Sequence, residues 1–220
     1  MMATKRQIQY PDQRSVPGSN LLAAYLNESA VRHHHLCPRQ VLGVRMGLYG
    51  LRILGLVSEQ YQPRYENKSK CLLSIVETDG CGADGLAVAT DCFVGRRTLR
   101  VIDYGKMAAT LVNIRSSKSV RIVPHPDARR LATSFAPNAR SRWHAYLEAY
   151  QIIPDGLLMK VSEVTLTQSI AEILSKPNAR ARCDQCGEEI LNEREIKRDD
   201  LVLCRYCAHK GYYQGLNGLP

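Results

Sequence analysis

Two Cys-x2-Cys pairs, Cys183/Cys186 and Cys204/Cys207, stand seventeen residues apart near the end of this 220-residue chain. Each pair offers two thiolates at the bite of a tetrahedral Zn2+, and the stretch between them can form a hairpin or short helix. A segment of about thirty residues is too small to build an adequate core, so bound metal must supply its folding energy. Redox use of a Cys-x2-Cys is the competing reading, and two pairs at this separation disfavour it. Four protein ligands leave no coordination position open, so this zinc is expected to be structural. The chain holds eight cysteines, and Lys5 and Arg6 are followed by no apolar signal core. Metal ligation rather than disulfide pairing is therefore expected, in the cytoplasm.

A second group of soft and borderline ligands lies far upstream, in His33-His34-His35-Leu36-Cys37-Pro38. If the backbone there is extended, His33, His35 and Cys37 can point the same way. Pro38 suits the first position of a helix, and the dipole behind it favours a thiolate at Cys37. The alternative is a surface histidine run beside a buried cysteine. Cys81, in Thr78-Asp79-Gly80-Cys81-Gly82-Ala83-Asp84, repeats the placement of Cys37 at a loop-to-helix junction. Cys92 lies beyond that helix. An unbroken eleven-residue helix would span about 16 Å, too far for Cys81 and Cys92 to share an ion. Cys81 is the favoured ligand of the two, and Cys92 a packed thiol.

The hydropathy pattern predicts a loose arm over residues 1–18, then a helix over 21–31 capped by Ser19 or Asn20. A second, largely apolar helix is expected over 41–56, where Gly43, Gly47 and Gly50 would admit close approach of another backbone, within one chain or across a dimer. Arg45 and Arg52 interrupt that run and argue against a membrane span. Strands are expected over 71–77, 98–102, 107–114, 120–123 and 156–164, with Ser116-Ser117-Lys118 turning a hairpin. Helices are expected to about 89 after the Cys81 turn, and over 127–134, 138–150 and 167–174. The order does not alternate regularly. It implies an α+β fold, with helices packed on a mainly antiparallel sheet, plus a small zinc-ribbon-like C-terminal domain. The boundaries follow as a main domain over 19–175, a linker over 176–182, the finger over 183–213 and a tail over 214–220.

The formal charge of +9 is unevenly placed. Residues 91–142 carry eleven Lys/Arg against three Asp/Glu, whereas residues 180–210 carry seven of each. Any anion-attracting surface belongs to the middle of the chain. A neutral finger argues against strong nucleic-acid binding, which depends on cations neutralising phosphates.

Taken together, His33-x-His35-Leu36-Cys37-Pro38, the stretch 40–47 (QVLGVRMG), Val76-Glu77-Thr78-Asp79-x-Cys81-x-x-Asp84, Cys92-x-x-Gly95 and the stretch 103–108 (DYGKMA) resemble the FmdE family, the E component of formylmethanofuran dehydrogenase. The finger, with Cys186-Gly187-Glu188-Glu189-Ile190, resembles DksA/TraR-type four-cysteine fingers. The first resemblance implies an α+β domain that tends to dimerise, with a metal cavity near the His/Cys motif. By that resemblance His33, His35, Cys37 and Cys81 carry over as site residues, for Zn2+ or Fe. His34 and Arg39 stand where the family pattern usually has glycine. An added imidazole can join the coordination, and an added guanidinium can repel a cation or hold an anionic ligand.

Three functions follow as expectations. One is a metal-binding accessory, assembly or carrier component linked to molybdenum/tungsten formate-type oxidoreductases. Another is a metal-dependent enzyme on a small anionic substrate, with Asp84, Asp103 or Lys106 in acid–base steps. The third is a regulator whose finger contacts protein or nucleic acid.

Overall fold

A helix with almost no exposed face sets the architecture of the computed structural model, which describes residues 14–209 and 211–213. The expected tail over 214–220 lies outside these residues, as does most of the expected arm over 1–18. The chain divides into two units, residues 1–165 and 166–220.

In the first unit the helices are α1 (Ser19–His33), α2 (Pro38–Ile53), α3 (Cys81–Thr90), α4 (Ala128–Phe135), α5 (Arg142–Ile152) and the short α6 (Asp155–Leu158). The strands are β1 (Leu72–Val76), β2 (Leu99–Val101), β3 (Ala109–Asn113), β4 (Lys118–Pro124) and β5 (Met159–Glu163). They form one sheet in the order β2-β1-β3-β4-β5. Only β1 and β2 run parallel, with Ser74 opposite Leu99; the other pairings are antiparallel, with Ser74 opposite Leu111 and Leu111 opposite Val120. The expected α+β architecture is the one observed. The apolar run of β1 is buried throughout, as a strand with neighbours on both edges requires.

Every residue of α2 except Arg39 is buried. Its glycines explain how: a Cβ on Gly43 would overlap the Gly82 carbonyl and come 2.9 Å from the Leu86 nitrogen. One on Gly85 of α3 would overlap the Gln40 carbonyl and lie 3.0 Å from the Val44 nitrogen. The close approach anticipated from the glycines is therefore backbone against backbone within one chain. A third glycine, Gly50, faces Leu111 and Ile122 of the sheet.

Burying α2 takes two arginines into the core. Arg45, fully buried, donates to the Tyr150 and Ile153 carbonyls at 2.7 Å and to Asp155 Oδ1 at 2.8 Å. Arg52 Nη2 lies 3.4 Å from Asp155 Oδ2, which also accepts the Tyr61 hydroxyl. Burial, and then the Asp155 carboxylate, push the Tyr61 hydroxyl well above its ordinary pKa. This network corrects one sequence expectation. The strand expected over 156–164 starts only at Met159, because 155–158 turn as α6 on the Pro154 carbonyl with Asp155 buried. The helix expected from 138 starts at Arg142, where Ser141 is extended and its hydroxyl accepts from the His144 N–H. Further upstream, α1 begins after Gly18 rather than after Ser19 or Asn20.

At the end of β1, Glu77 accepts Arg121 Nε at 2.6 Å and Nη2 at 2.7 Å. Those hydrogen bonds, opposed by burial, hold the Glu77 carboxyl below its usual range. A carboxylate depressed in the fold stabilises fully above its unfolded pKa of about 4.3 and loses that contribution as pH falls through the lower folded value. Glu77→Gln is expected to cost about 1 kcal/mol at pH 7, the modest size reflecting a partner open to water. Urea midpoints of variant and wild type should begin to approach each other below about pH 4.3 and converge only once pH has fallen through the lowered folded value.

The second unit holds α7 (Ile170–Leu174), the hairpins β6 (Arg180–Arg182)/β7 (Glu189–Leu191) and β8 (Ile196–Arg198)/β9 (Leu201–Leu203), and α8 (Arg205–Ala208). The helix expected over 167–174 is shorter, starting after Ser169, whose side chain caps it with Glu172. The four-cysteine group joins two hairpins and a helical turn, a small zinc-ribbon-like unit.

Candidate metal centre

The four C-terminal cysteines meet. Cys183 and Cys186 sit in the turn between β6 and β7, Cys204 caps α8 and Cys207 lies within it. Their four sulfurs all lie within 4.8 Å of one another, with Cys186 and Cys204 at 3.9 Å. Tetrahedral zinc with Zn–S bonds of about 2.3 Å needs sulfurs about 3.8 Å apart, so the group fits the ion. Burial opposes ionisation of Cys183, yet the backbone N–H groups of Cys186, Cys204 and Gln185 outweigh it and pull the thiol down to about 6. Cys204 N–H donates to the Cys183 sulfur at 3.2 Å, and Cys207 N–H to the Cys204 sulfur at 3.4 Å. Backbone amides aimed at sulfur suit metal-bound thiolates.

The upstream group assembles from three helix ends. His33 is the last residue of α1, Cys37 caps the start of α2, and Cys81 is the first residue of α3. The contacts between α2 and α3 (Gly43 with Gly82, Gly47 with Ala89) mean that the helices run side by side with both N-termini at this corner. Within the corner, Gln40 Oε1 accepts the Cys37 N–H at 2.8 Å, and its amide donates to Ser29, so α1 and α2 are tied together. The Cys81 thiol donates to His33 Nε2 at 3.1 Å. On the far side of that ring, Nδ1 donates to Asp84 Oδ2 at 2.8 Å. The carboxylate selects the tautomer that leaves Nε2 free as a lone-pair donor. Burial, and then the adjacent Cys37 thiol, push the Cys81 thiol up.

The histidine run is not extended. His34 takes a left-handed conformation (φ 64°) as α1 ends, and His33 is the histidine in hydrogen-bond contact with Cys81. His35 is exposed, its ring tilted 53° against that of His33 with centroids 4.8 Å apart. His34 is exposed as well. Among the described residues, no three donors of this upstream group all lie within 4.8 Å of one another. Cys92 is fully buried and accepts from Asn67 Nδ2 at 3.3 Å, a packed thiol. Asp103 accepts from Gly105 N–H within its own turn, and Lys106 Nζ lies 5.9 Å from the Tyr104 ring; both are exposed. Of the three acid–base candidates, only Asp84 touches the His/Cys group.

Cys37 and Cys81 open onto a cavity of about 370 Å³. Arg39 and Arg129 line it, with Trp143, Tyr146 and Tyr150 of α5 as an aromatic wall. Sequence reasoning reached Arg39 as a possible anion holder but missed the others, which come from α4 and α5 about ninety residues downstream. Nothing local in those helices marks them.

Residues 32–180 match the family described as "FmdE, Molybdenum formylmethanofuran dehydrogenase operon". The chain belongs to the FmdE family. A protein of Archaeoglobus fulgidus named "Probable S-adenosyl-L-methionine-binding protein" is 38% identical over 199 residues, covering 82% of this chain and 51% of its own. This FmdE chain thus spans about half the length of that curated relative. The crystal structure of a tungsten formylmethanofuran dehydrogenase FmdE-like protein from Syntrophus aciditrophicus shares the fold, with a TM-score of 0.55 at 19% identity, covering 91% of this chain and 100% of that one. The FmdE match begins at Arg32, directly before His33, and ends at Arg180, before the four cysteines. It takes in the upstream group and its cavity. No described helix is long and apolar enough to cross a membrane.

Proposed function

We propose that the first unit holds a transition metal, Zn2+ or Fe, through His33, Cys37 and Cys81, with His35 beside the same corner. The chain then serves as a metal-binding accessory, assembly or carrier component for molybdenum/tungsten formate-type oxidoreductases, as a cytoplasmic homodimer. The observation that carries this reading is the 3.1 Å approach of His33 Nε2 to Cys81 Sγ, with Asp84 holding the opposite ring nitrogen. A carboxylate on the far nitrogen of a ligating histidine fixes its orientation and raises its basicity. Thiolate with imidazole suits zinc, iron or copper. The C-terminal group, read as a DksA/TraR-type finger, serves as a structural zinc fastener.

A second reading, a metal-dependent enzyme on a small anionic substrate, draws support from the cavity and its two guanidiniums. A bound metal would supply Lewis-acid polarisation there. Asp84 would then keep the His33 ring in place, and Arg39 and Arg129 would receive the anion. The name of the Archaeoglobus relative also speaks for a small-molecule ligand.

Metal analysis of never-chelated protein tests the main reading. Two ions per chain are expected in the wild type. One should be lost in Cys81→Ala and in Cys37→Ala, with the first unit still folded by circular dichroism. Unchanged stoichiometry in both variants would remove the upstream metal from the account.

A further inference from the structure

The cavity beside Cys37 and Cys81 has a composition that metal binding alone does not call for. Its volume, about 370 Å³, falls within the range of roughly 300–1,000 Å³ found for small-molecule sites. Arg39 and Arg129 both line it, and neither has a carboxylate partner among the described residues. The Arg129 guanidinium lies near the Tyr150 hydroxyl and partly offsets the upward push that burial gives the hydroxyl pKa, while Arg39 is exposed at the start of α2. Two guanidiniums sharing one concavity without an acidic neighbour repel each other until an anion joins them, and their planar forks match carboxylate or phosphate oxygens. Pro38 and Leu42 also line it, and the side formed by α5 is aromatic. The Tyr146 and Tyr150 rings lie nearly parallel, 4° apart in plane with centroids at 5.7 Å, and the Trp143 indole stands partly open at the rim. Such a wall favours a flat ring over an aliphatic chain.

We propose that this cavity binds a flat-ringed acid, its ring against the aromatic wall and its carboxylate or phosphate between Arg39 and Arg129. The position deepens the metal-centre reading, because it places the ligand next to the thiol corner. The binding itself rests on the guanidiniums and the α5 wall, so it is separable from metal occupancy.

Trp143 is the only tryptophan in the chain, so quenching of its emission reports directly on this cavity. Two acid/neutral pairs serve as probes, adenosine 5′-monophosphate against adenosine and nicotinate against nicotinamide, with inorganic phosphate as the ringless control. Saturable quenching is expected from at least one acid, with its neutral partner and inorganic phosphate at least tenfold weaker. Which acid binds decides between phosphate and carboxylate. Arg39→Ala, at an exposed position, and Arg129→Gln, which keeps a polar side chain beside Tyr150, should each weaken that acid at least tenfold. Equal quenching by acid and neutral partner, unchanged affinity in both arginine variants, or no saturable quenching by either acid overturns the proposal. The titration is repeated on Cys81→Ala with metal content measured on the same samples. Retained acid binding there supports the proposal whatever becomes of the metal. Binding lost there but intact in both arginine variants overturns it and leaves the metal reading standing.

Discussion

Cys183→Ser is expected to release the C-terminal metal and unfold the second unit while the first keeps its native circular dichroism and cooperative melting. The size of the effect follows from how little else holds that unit. Its buried cluster consists of Cys183, Ile190, Leu203 and Ala208, so one of the sulfurs is itself part of the core. Zinc bound by four thiolates contributes about 10–16 kcal/mol at pH 7, beyond anything four small side chains can replace. Proton–nitrogen correlation spectra should show resonances of residues 180–209 collapsing to random-coil positions. Chelation of the wild type should reproduce the same loss. A second unit that stays folded without metal would refute the fastener role, and loss of the first unit's transition would show that the two fold as one.

Replacing Asp155 by alanine is the second large effect, expected to destabilise the first unit by about 3–5 kcal/mol in urea titrations. Asp155 is fully buried and answers Arg45, equally buried, from 110 residues away. Without the carboxylate, Arg45 keeps its bonds to the Tyr150 and Ile153 carbonyls, but its charge remains in the core with no acid to answer it, while Arg52 keeps Glu59 at 3.7 Å. Such a loss is a large share of the roughly 5–15 kcal/mol that a domain typically has. Combining Asp155→Ala with Arg45→Met should recover part of it, since an apolar side chain leaves no charge to answer. A single-variant cost below about 1 kcal/mol would mean that water reaches the network.

The sequence was readable where local pattern and tertiary demand agree. The apolar period of α2, the continuous run of β1, the Ser116-Ser117-Lys118 hairpin and the α2 glycines all led to the elements now seen. The two Cys-x2-Cys pairs led to the C-terminal cluster, because the chemistry and the spacing lie within one short segment. Pattern failed where distant residues decide. Arg45 and Arg52 count against a membrane span, but nothing near them announces Asp155, whose burial accompanies a helical turn where a strand was expected. The His33-His34-His35 run reads equally well as extended or as a helix end; the left-handed turn at His34 decides which imidazole meets Cys81. Likewise Arg129 and Trp143 look like ordinary amphipathic-helix residues until α4 and α5 bring them to the same hollow as Cys37.

The contact between the first turns of α2 and α3 has a consequence for inorganic chemistry. Cys37 and Cys81 ride on two rods touching main chain to main chain at Gly43 and Gly85, with no side chain between them as a cushion. The spacing of the two Cys backbones is therefore gauged by peptide groups, which yield far less than rotamers do. On the proposed metal reading, a pincer of that stiffness would select ions by radius, and one methyl group slipped between the rods would reset its calibration.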